Sequence, residues 1–250
     1  MGLTVTVAIA AQGDGAFAQD PAVLPAWCSL LVIVQRPYEK GPDSPLRPAQ
    51  FRVIHDTETG LSRSRNRAMD EAATDLLVFL DDDMTLDMGG LAQMRAAFAA
   101  DPQVALVAGW RKEHMARSKR PRKQRLTALN SGRICAPELM VRLNAVRNAG
   151  VRFDPTFGLG SAQPIGEEFI FVTDALRAGL VGLSLPVIAG SHPGPSSGDR
   201  WDDPLLVSAR RAMLGRVFGP WAALARLAYG LRRRHHIGGL PGVIRFVRGT

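Results

Sequence analysis

Apolar residues recur along this chain with two periods, and the alternation between them predicts the fold class. Residues 3–11 (LTVTVAIAA) alternate and are rich in β-branched side chains, which predicts a strand closed by Gly13-Asp14-Gly15. Residues 29–35 (SLLVIVQ) are a continuous apolar run, as in a parallel strand buried on both faces, and Arg36-Pro37 ends it. Residues 51–55 predict a short third strand, and 75–80 (DLLVFL) a fourth that runs straight into Asp81. Between them Ser62 reads as the N-cap of a helix reaching about residue 73. Helical spacing predicts further helices at 91–100, 137–148 and 167–178, and residues 104–108 predict another strand.

Strand and helix in repeated alternation imply an α/β fold, with a Rossmann-like, mostly parallel sheet and helices on both faces. Ligands of such sheets bind beyond the carboxyl ends of the strands. Asp81, Asp82 and Asp83 stand at that edge. Their mutual repulsion falls when a cation binds, and a hard ion such as Mg²⁺ or Mn²⁺ would share them with substrate phosphates. A polar turn capping the strand is the plainer alternative. The helix start at 60–66 (GLSRSRN) offers N–H groups and the fixed charge of Arg65 to a phosphate, or is an ordinary surface helix.

The 250 residues suffice for one large domain, taken as 1–204, followed by a basic tail at 205–250. In that tail Leu214, Val217, Phe218, Trp221, Leu224, Ala225 and Ala228 form one helical stripe. The net charge of +8 is concentrated in two places. Residues 111–125 hold eight basic side chains against Glu113 alone, and nine arginines but no acidic residue follow Asp203. The first segment, interrupted by Pro121, reads as a mobile loop beside the site or as a solvated charge run. The second reads as a helix docked on the core or lying on an anionic membrane surface.

Cys28 and Cys135 make neither a disulfide framework nor a metal motif, which points to a reducing compartment. The N-terminus lacks the positive region of a signal peptide, and no apolar run could span a bilayer. Met1-Gly2 with Thr6 fits a loose acylation pattern, but residues 3–11 read better as a buried strand. The expectation is a cytoplasmic protein, peripheral on the inner face of the membrane where the tail engages lipid.

Residues 60–83, GLSRSRNRAMDEAATDLLVFLDDD, closely resemble the family 2 glycosyltransferases of GT-A fold, with their GLSxARN-like helix start, apolar strand and Asp-x-Asp element. Residues 153–160 (FDPTFGLG) and 166–168 (GEE) resemble the second signature of that family, at the right separation. The resemblance implies an inverting, metal-dependent transfer of sugar from a nucleotide-sugar donor to a hydroxyl of a glycan or lipid-linked acceptor. It implies Mg²⁺ or Mn²⁺ on Asp83 and Asp81, and donor contacts from Arg65, Asp81 and Asp82, with Gln12 beside them at the first strand end. Glu168 matches the general base, with Glu167 as the alternative base or a group holding the acceptor. The segment at 192–198 (HPGPSSG) resembles the late loop from which a histidine reaches the metal, so His192 is either a ligand or a surface side chain.

The sequence also departs from the family pattern. An Asp-Asp-Gly-Ser element after the second strand is replaced by Gln35-Arg36-Pro37, leaving Asp56 as a substitute contact for the nucleotide. Arg200-Trp201 matches the end of a Gln-x-x-Arg-Trp motif, but Ser197 stands where Gln would be, so processivity is not expected. Competing readings are a nucleic-acid-binding protein using the basic segments, a nucleotidyltransferase, and a homologue that binds sugar nucleotides without transferring them. The basic segments hold few aromatics and no recognised nucleic-acid motif, so nucleic acid is not an expected partner. The short Gly13-Asp14-Gly15 turn does not suit a nucleotidyltransferase.

Overall fold

The computed structural model describes residues 2–12, 24–35, 51–117, 121–192, 194 and 196–249. The turns at 13–15 and 36–37 lie outside these residues. Among the described residues nine strands form one sheet: β1 (Val5–Gln12), β2 (Cys28–Gln35), β3 (Phe51–Asp56), β4 (Leu76–Asp81), β5 (Thr85–Leu86), β6 (Val104–Arg111), β7 (Gln124–Arg125), β8 (Leu139–Arg142) and β9 (Val181–Ser191). Eight α-helices accompany it among the described residues: α1 (Leu61–Glu71), α2 (Met88–Ala100), α3 (Lys112–Arg117), α4 (Leu143–Asn148), α5 (Glu167–Arg177), α6 (Pro204–Phe218), α7 (Ala222–Arg232) and α8 (Gly239–Arg248).

The spatial order is β3-β2-β1-β4-β8-β6-β9-β5, with β7 paired to β9. The first four strands are mutually parallel, and β6 runs parallel to β9. Antiparallel pairing is confined to β8 and the two-residue strands β5 and β7. Because β8 is antiparallel to both β4 and β6, those two run the same way, and their carboxyl ends share one edge. In register, Ala10 faces Asp81, Gln12 faces Gln35, and Gln35 faces Asp56. The predicted ligand edge is therefore formed by Gln12, Gln35, Asp56, Asp81 and Arg111.

Most of β1, β2 and β4 is buried on both faces, as a sheet covered by helices on each side requires. Phe79, Phe153 and Phe171 form an aromatic knot at the centre. Phe153 stacks on Phe171 with centroids 4.2 Å apart and meets Phe79 edge-on at 5.0 Å.

Three expectations are corrected. The helix read at 137–148 is a 3-10 turn, strand β8 and then the short α4. Leu139, Met140 and Val141 are fully buried between β4 and β6, and a short apolar run fits a central strand as well as a helix. The basic stretch 111–125 is not one loop: it ends β6, forms α3 and returns as β7 against β9. The single stripe at 214–228 breaks after Phe218, because Gly219 takes φ 51° and Pro220 follows.

The first tail helix is docked on the body of the protein. Val217 is fully buried with Phe157, Phe169 and Ile170, and Arg177 donates to the Val217 carbonyl oxygen. Arg216 pairs with Asp154 at 3.2 Å and with Asp174 at 2.6 Å. By contrast, α7 and α8 expose Leu224, Leu227, Leu231, Leu240 and Ile244. Among the described residues no helix is long and apolar enough to cross a membrane.

Candidate active site

Helix α1 fastens the segment that leads into α5. The Ser62 hydroxyl donates to the Phe157 carbonyl oxygen at 2.6 Å, and the Leu61 N–H donates to the Leu159 carbonyl oxygen at 2.9 Å. The Asn66 amide brackets Phe153, donating to its carbonyl oxygen and accepting its N–H, both at 2.9 Å. Gly158, at φ 101°, lies so close that a Cβ would come 3.1 Å from the Ser62 hydroxyl and 3.3 Å from the Glu167 carboxyl carbon. Ser62 is thus not the N-cap; Gly60 is, with its own N–H bonded to Gln35 Oε1 at 2.8 Å. The helix start read as a phosphate cradle is covered by the 157–160 loop.

Arg65 is the hinge between the two segments. It is 2% exposed, and its Nη1 donates to Glu167 Oε1 at 3.1 Å and Glu168 Oε1 at 3.0 Å, while Nη2 donates to Asp81 Oδ1 at 3.1 Å. Burial works against its charge, but Glu168, Asp81 and Glu167 together hold its pKa above the usual arginine value. The side chain expected to face donor phosphates is engaged by three carboxylates instead. The three carboxylates outnumber one guanidinium, and the imbalance falls on Glu167. Burial first, then the neighbouring Glu168, pushes its pKa up to about 8 against the pull of Arg65. Glu167 is therefore the carboxyl of the three most disposed to hold a proton. Its neighbour has the more open side chain, 12% exposed against 6%.

Beyond β4 the three aspartates diverge. Asp81 turns to Arg65. Asp82 accepts the Gln12 backbone N–H at 3.4 Å, and burial, reinforced by Asp83 and Asp81, raises its pKa above the usual carboxylate value. Asp83 is open, with its side chain 65% exposed, and its Oδ2 lies 3.1 Å from His192 Nε2. His192 is nearly buried, and its Nδ1 has no hydrogen-bond partner. The His192 backbone N–H and the Ser191 hydroxyl both donate to Glu113, which anchors the loop end. A carboxylate and an imidazole meeting at the ligand edge suit a borderline-hard divalent ion such as Mn²⁺. Asp81, Asp83 and His192 do not converge as tightly as His114, Cys135 and Glu138, whose ligand atoms all lie within 4.8 Å of one another.

That second cluster was not read from the sequence, since His114 on α3 meets Cys135 and Glu138, which share the 3-10 turn before β8, only in the folded chain. Its chemistry is that of a hydrogen-bond knot. Glu138, fully buried, accepts the Arg111 N–H at 2.6 Å, the Cys135 N–H at 3.0 Å and the Cys135 thiol at 3.1 Å, and pairs with Arg133 at 3.5 Å. Two guanidinium groups nearby disfavour a cation there. Burial, followed by Glu138, pushes the Cys135 thiol well up, so it remains a thiol.

These groups line one cavity of about 1450 Å³. Its wall includes Gln12, Asp81, Asp82, Asp83, Glu167, Glu168 and His192, and it extends past Trp110, Arg111 and Arg133 to Trp221, Leu224 and Tyr229 on the tail. Asp56 is not among the lining residues; it caps its own turn by accepting the Glu58 N–H at 3.0 Å.

The sequence model of glycosyl transferase family 2 matches residues 34–156. Over that span the chain belongs to glycosyl transferase family 2. The family makes it a glycosyltransferase, and solved structures agree on a GT-A fold. A mannosyltransferase from Pyrobaculum calidifontis, in complex with GDP-Man and Mn²⁺, superposes with a TM-score of 0.62 at 14% identity, over 100% of this chain and 80% of that one. TarS 1–349 from S. aureus with UDP-GlcNAc gives 0.56 at 12% identity, covering 98% and 82%. Glucosyl-3-phosphoglycerate synthase from Mycobacterium tuberculosis with Mg²⁺ and UDP gives 0.56 at 12% identity, covering 87% and 80%. No curated protein sequence matches the chain.

Within this glycosyltransferase, sequence reasoning missed the part of the wall contributed by β6. Arg133 lies 3.6 Å over the Trp110 ring and donates to the Gly109 carbonyl oxygen and to the Ser184 hydroxyl. The available signal was position: β6 runs parallel to β4, so its last residues reach the same edge as the aspartates.

Proposed function

We propose that this glycosyltransferase moves a hexosyl unit from a nucleotide sugar to a hydroxyl of a glycan or lipid-linked acceptor, with inversion and with a divalent ion. The observation that carries this reading is the single buried guanidinium of Arg65 bonded at once to Asp81 and to the pair Glu167–Glu168. It ties the strand end where a donor diphosphate binds to the acid pair that handles the acceptor proton.

In the reaction the acceptor oxygen attacks the anomeric carbon, and its O–H proton passes to the Glu168 carboxylate. The bond from that carbon to the diphosphate oxygen breaks, and the nucleoside diphosphate leaves. A single displacement of this kind inverts the anomeric centre. Glu167, whose burial and whose neighbour Glu168 favour the protonated form, is assigned to hold the acceptor by hydrogen bonding, and Glu168 to act as base. Arg65 holds Glu168 in place through the 3.0 Å bond. Asp83 and His192 are the residues that would hold Mg²⁺ or Mn²⁺, with Asp81 beside them. When bound, such an ion neutralises charge on the leaving diphosphate. Gln12 and Asp82 border the donor, whereas Asp56, outside the cavity, is not assigned a contact with it.

A lipid-linked acceptor and an anionic membrane surface are supported by the tail. Trp221, Leu224, Leu227 and Leu231 make one exposed stripe that starts at the cavity wall, and Arg232-Arg233-Arg234 follow it. Two free cysteines fit a reducing, cytoplasmic setting.

The test is binding of a panel of UDP-, GDP-, dTDP- and CMP-sugars with and without Mn²⁺, read by thermal shift. One donor should raise the unfolding midpoint only with the metal, and Asp83→Ala should remove the effect while leaving the ligand-free midpoint near wild type. A panel without any stabilising member, or an Asp83→Ala protein that binds as well as wild type, contradicts the reading.

A further inference from the structure

We propose that the part of the cavity beyond the end of β6 is an anion subsite formed by Arg111, Arg210 and the Trp110 indole, taking a phosphoryl or carboxylate group of the acceptor. This names the chemical class of the acceptor and so rests on the transfer reading above. Arg111 is 4% exposed and Arg210 2%, and both line the cavity. Among the described residues neither guanidinium forms an ion pair. Arg111 Nη2 lies 2.5 Å from His114 Nε2. Arg210 Nη2 donates to the carbonyl oxygens of Gly198 and Arg200, both at 2.7 Å, its plane lies 4.1 Å over Trp201, and Tyr229 stands beside it.

Buried arginines keep their charge, and a buried charge without a counter-ion is far more costly than an exposed one. The negative group facing both is Asp199. Burial opposes its ionisation, but Ser196, then Arg111 and His114, hold its carboxyl below the usual range, and one of its oxygens, Oδ2, accepts from the Ser196 hydroxyl and N–H. Against it stand Arg111, His114, Arg210 and Arg233. The unfilled hydrogen-bond capacity has one sign as well. Arg111 Nε, Arg210 Nη1 and Trp110 Nε1 are buried without partners, and all are donors. Asp199 apart, this wall carries donors and positive charge in excess, which is complementary to an oxyanion.

The donor diphosphate is an oxyanion too, but these groups lie on the other half of the sheet from the β1 and β2 ends. Arg111 closes β6, two strands beyond β4, and Arg210 belongs to α6.

Isothermal titration of inorganic phosphate into the full chain separates the two sources. It is run on the protein alone and on the protein saturated with Mn²⁺ and nucleoside diphosphate. Phosphate should bind in both states. Arg111→Met and Arg210→Met should each weaken it by about tenfold or more, the loss expected for a charge-assisted bond. Nucleoside diphosphate affinity should stay within about twofold. Arg111→Lys and Arg210→Lys keep charge and bulk, so they should fold where a Met variant does not, and should show an intermediate loss. The proposal is overturned if phosphate binding is unchanged in both pairs of variants. It is equally overturned if phosphate no longer binds once nucleotide is present, or if nucleotide affinity falls as much as phosphate affinity, since the subsite then belongs to the donor. Absence of nucleotide binding would contradict the transfer reading alone, because the phosphate titration of the free protein still tests the wall.

Discussion

The Arg65 guanidinium donates to Glu168 at 3.0 Å, joining residues 103 positions apart in the chain. Arg65 sits on α1, just before the strand that delivers the aspartates, and Glu168 opens α5. The bond makes the geometry of the acid pair depend on the helix that also bonds Phe153, Phe157 and Leu159.

Removing that cation should be costly and pH-dependent. Arg65→Met leaves Asp81, Glu167 and Glu168 facing one another in a buried site, a loss on the order of 3–5 kcal/mol. The uncompensated carboxylates would have raised folded-state pKa values, so the deficit is largest above them and shrinks as pH falls toward the unfolded carboxylate range. Urea unfolding of the variant and wild type between pH 5 and pH 8, as test conditions, should show the gap narrowing with acid. A constant gap would mean that Arg65 contributes packing against Phe153 rather than charge.

Glu167 makes an opposite prediction. Its folded pKa is about 8 and its ordinary value 4.5, so between them the native state holds a proton that the unfolded state has released. Wild-type stability therefore falls as pH rises through that window, by at most about 1.4 kcal/mol per pH unit. Glu167→Gln mimics the protonated form and lacks this slope. Its stability should match wild type near the acid end and exceed it near the alkaline end. A variant that loses ground as pH rises would show that Glu167 is ionised in the folded protein.

The tail gives a third. Replacing Trp221, Leu224, Leu240 and Ile244 by Ser touches only exposed apolar groups, so folding should be preserved. Sedimentation with vesicles containing anionic lipid should show binding reduced by roughly tenfold or more, and wild-type binding should weaken as salt rises. Unchanged vesicle binding by the variant would remove the membrane from the account.

The parallel half of the fold was legible because β2 and β4 are buried on both faces and so appear as unbroken apolar runs, while β1 shows as an alternating β-branched one. Strand β8 was not, because Leu139–Arg142 is too short to show a period and is flanked by residues with helical spacing. At the site, Asp83 and His192 were both foreseen and lie together. The role of the GLSRSRN segment was not foreseen. A helix start rich in Ser and Arg looks the same whether it faces a phosphate or another stretch of chain. Only the folded arrangement brings Ser62, Arg65 and Asn66 onto Phe157, Glu168 and Phe153. The Glu138 knot was hidden in part for the same reason: Arg133 and Cys135 are its near neighbours in the chain, but Arg111 and His114 reach it from the end of β6 and from α3.

Glu168→Gln tests the account most directly, by the rate of sugar transfer with the donor identified in the binding panel. The substitution keeps the shape of the side chain and its bond to Arg65 but removes the proton acceptor. Donor affinity should stay near wild type, while kcat and kcat/KM fall together by about 10²–10⁴-fold. Full transfer by Glu168→Gln, or an inactive Glu167→Gln beside an active Glu168→Gln, would contradict the assignment of the base.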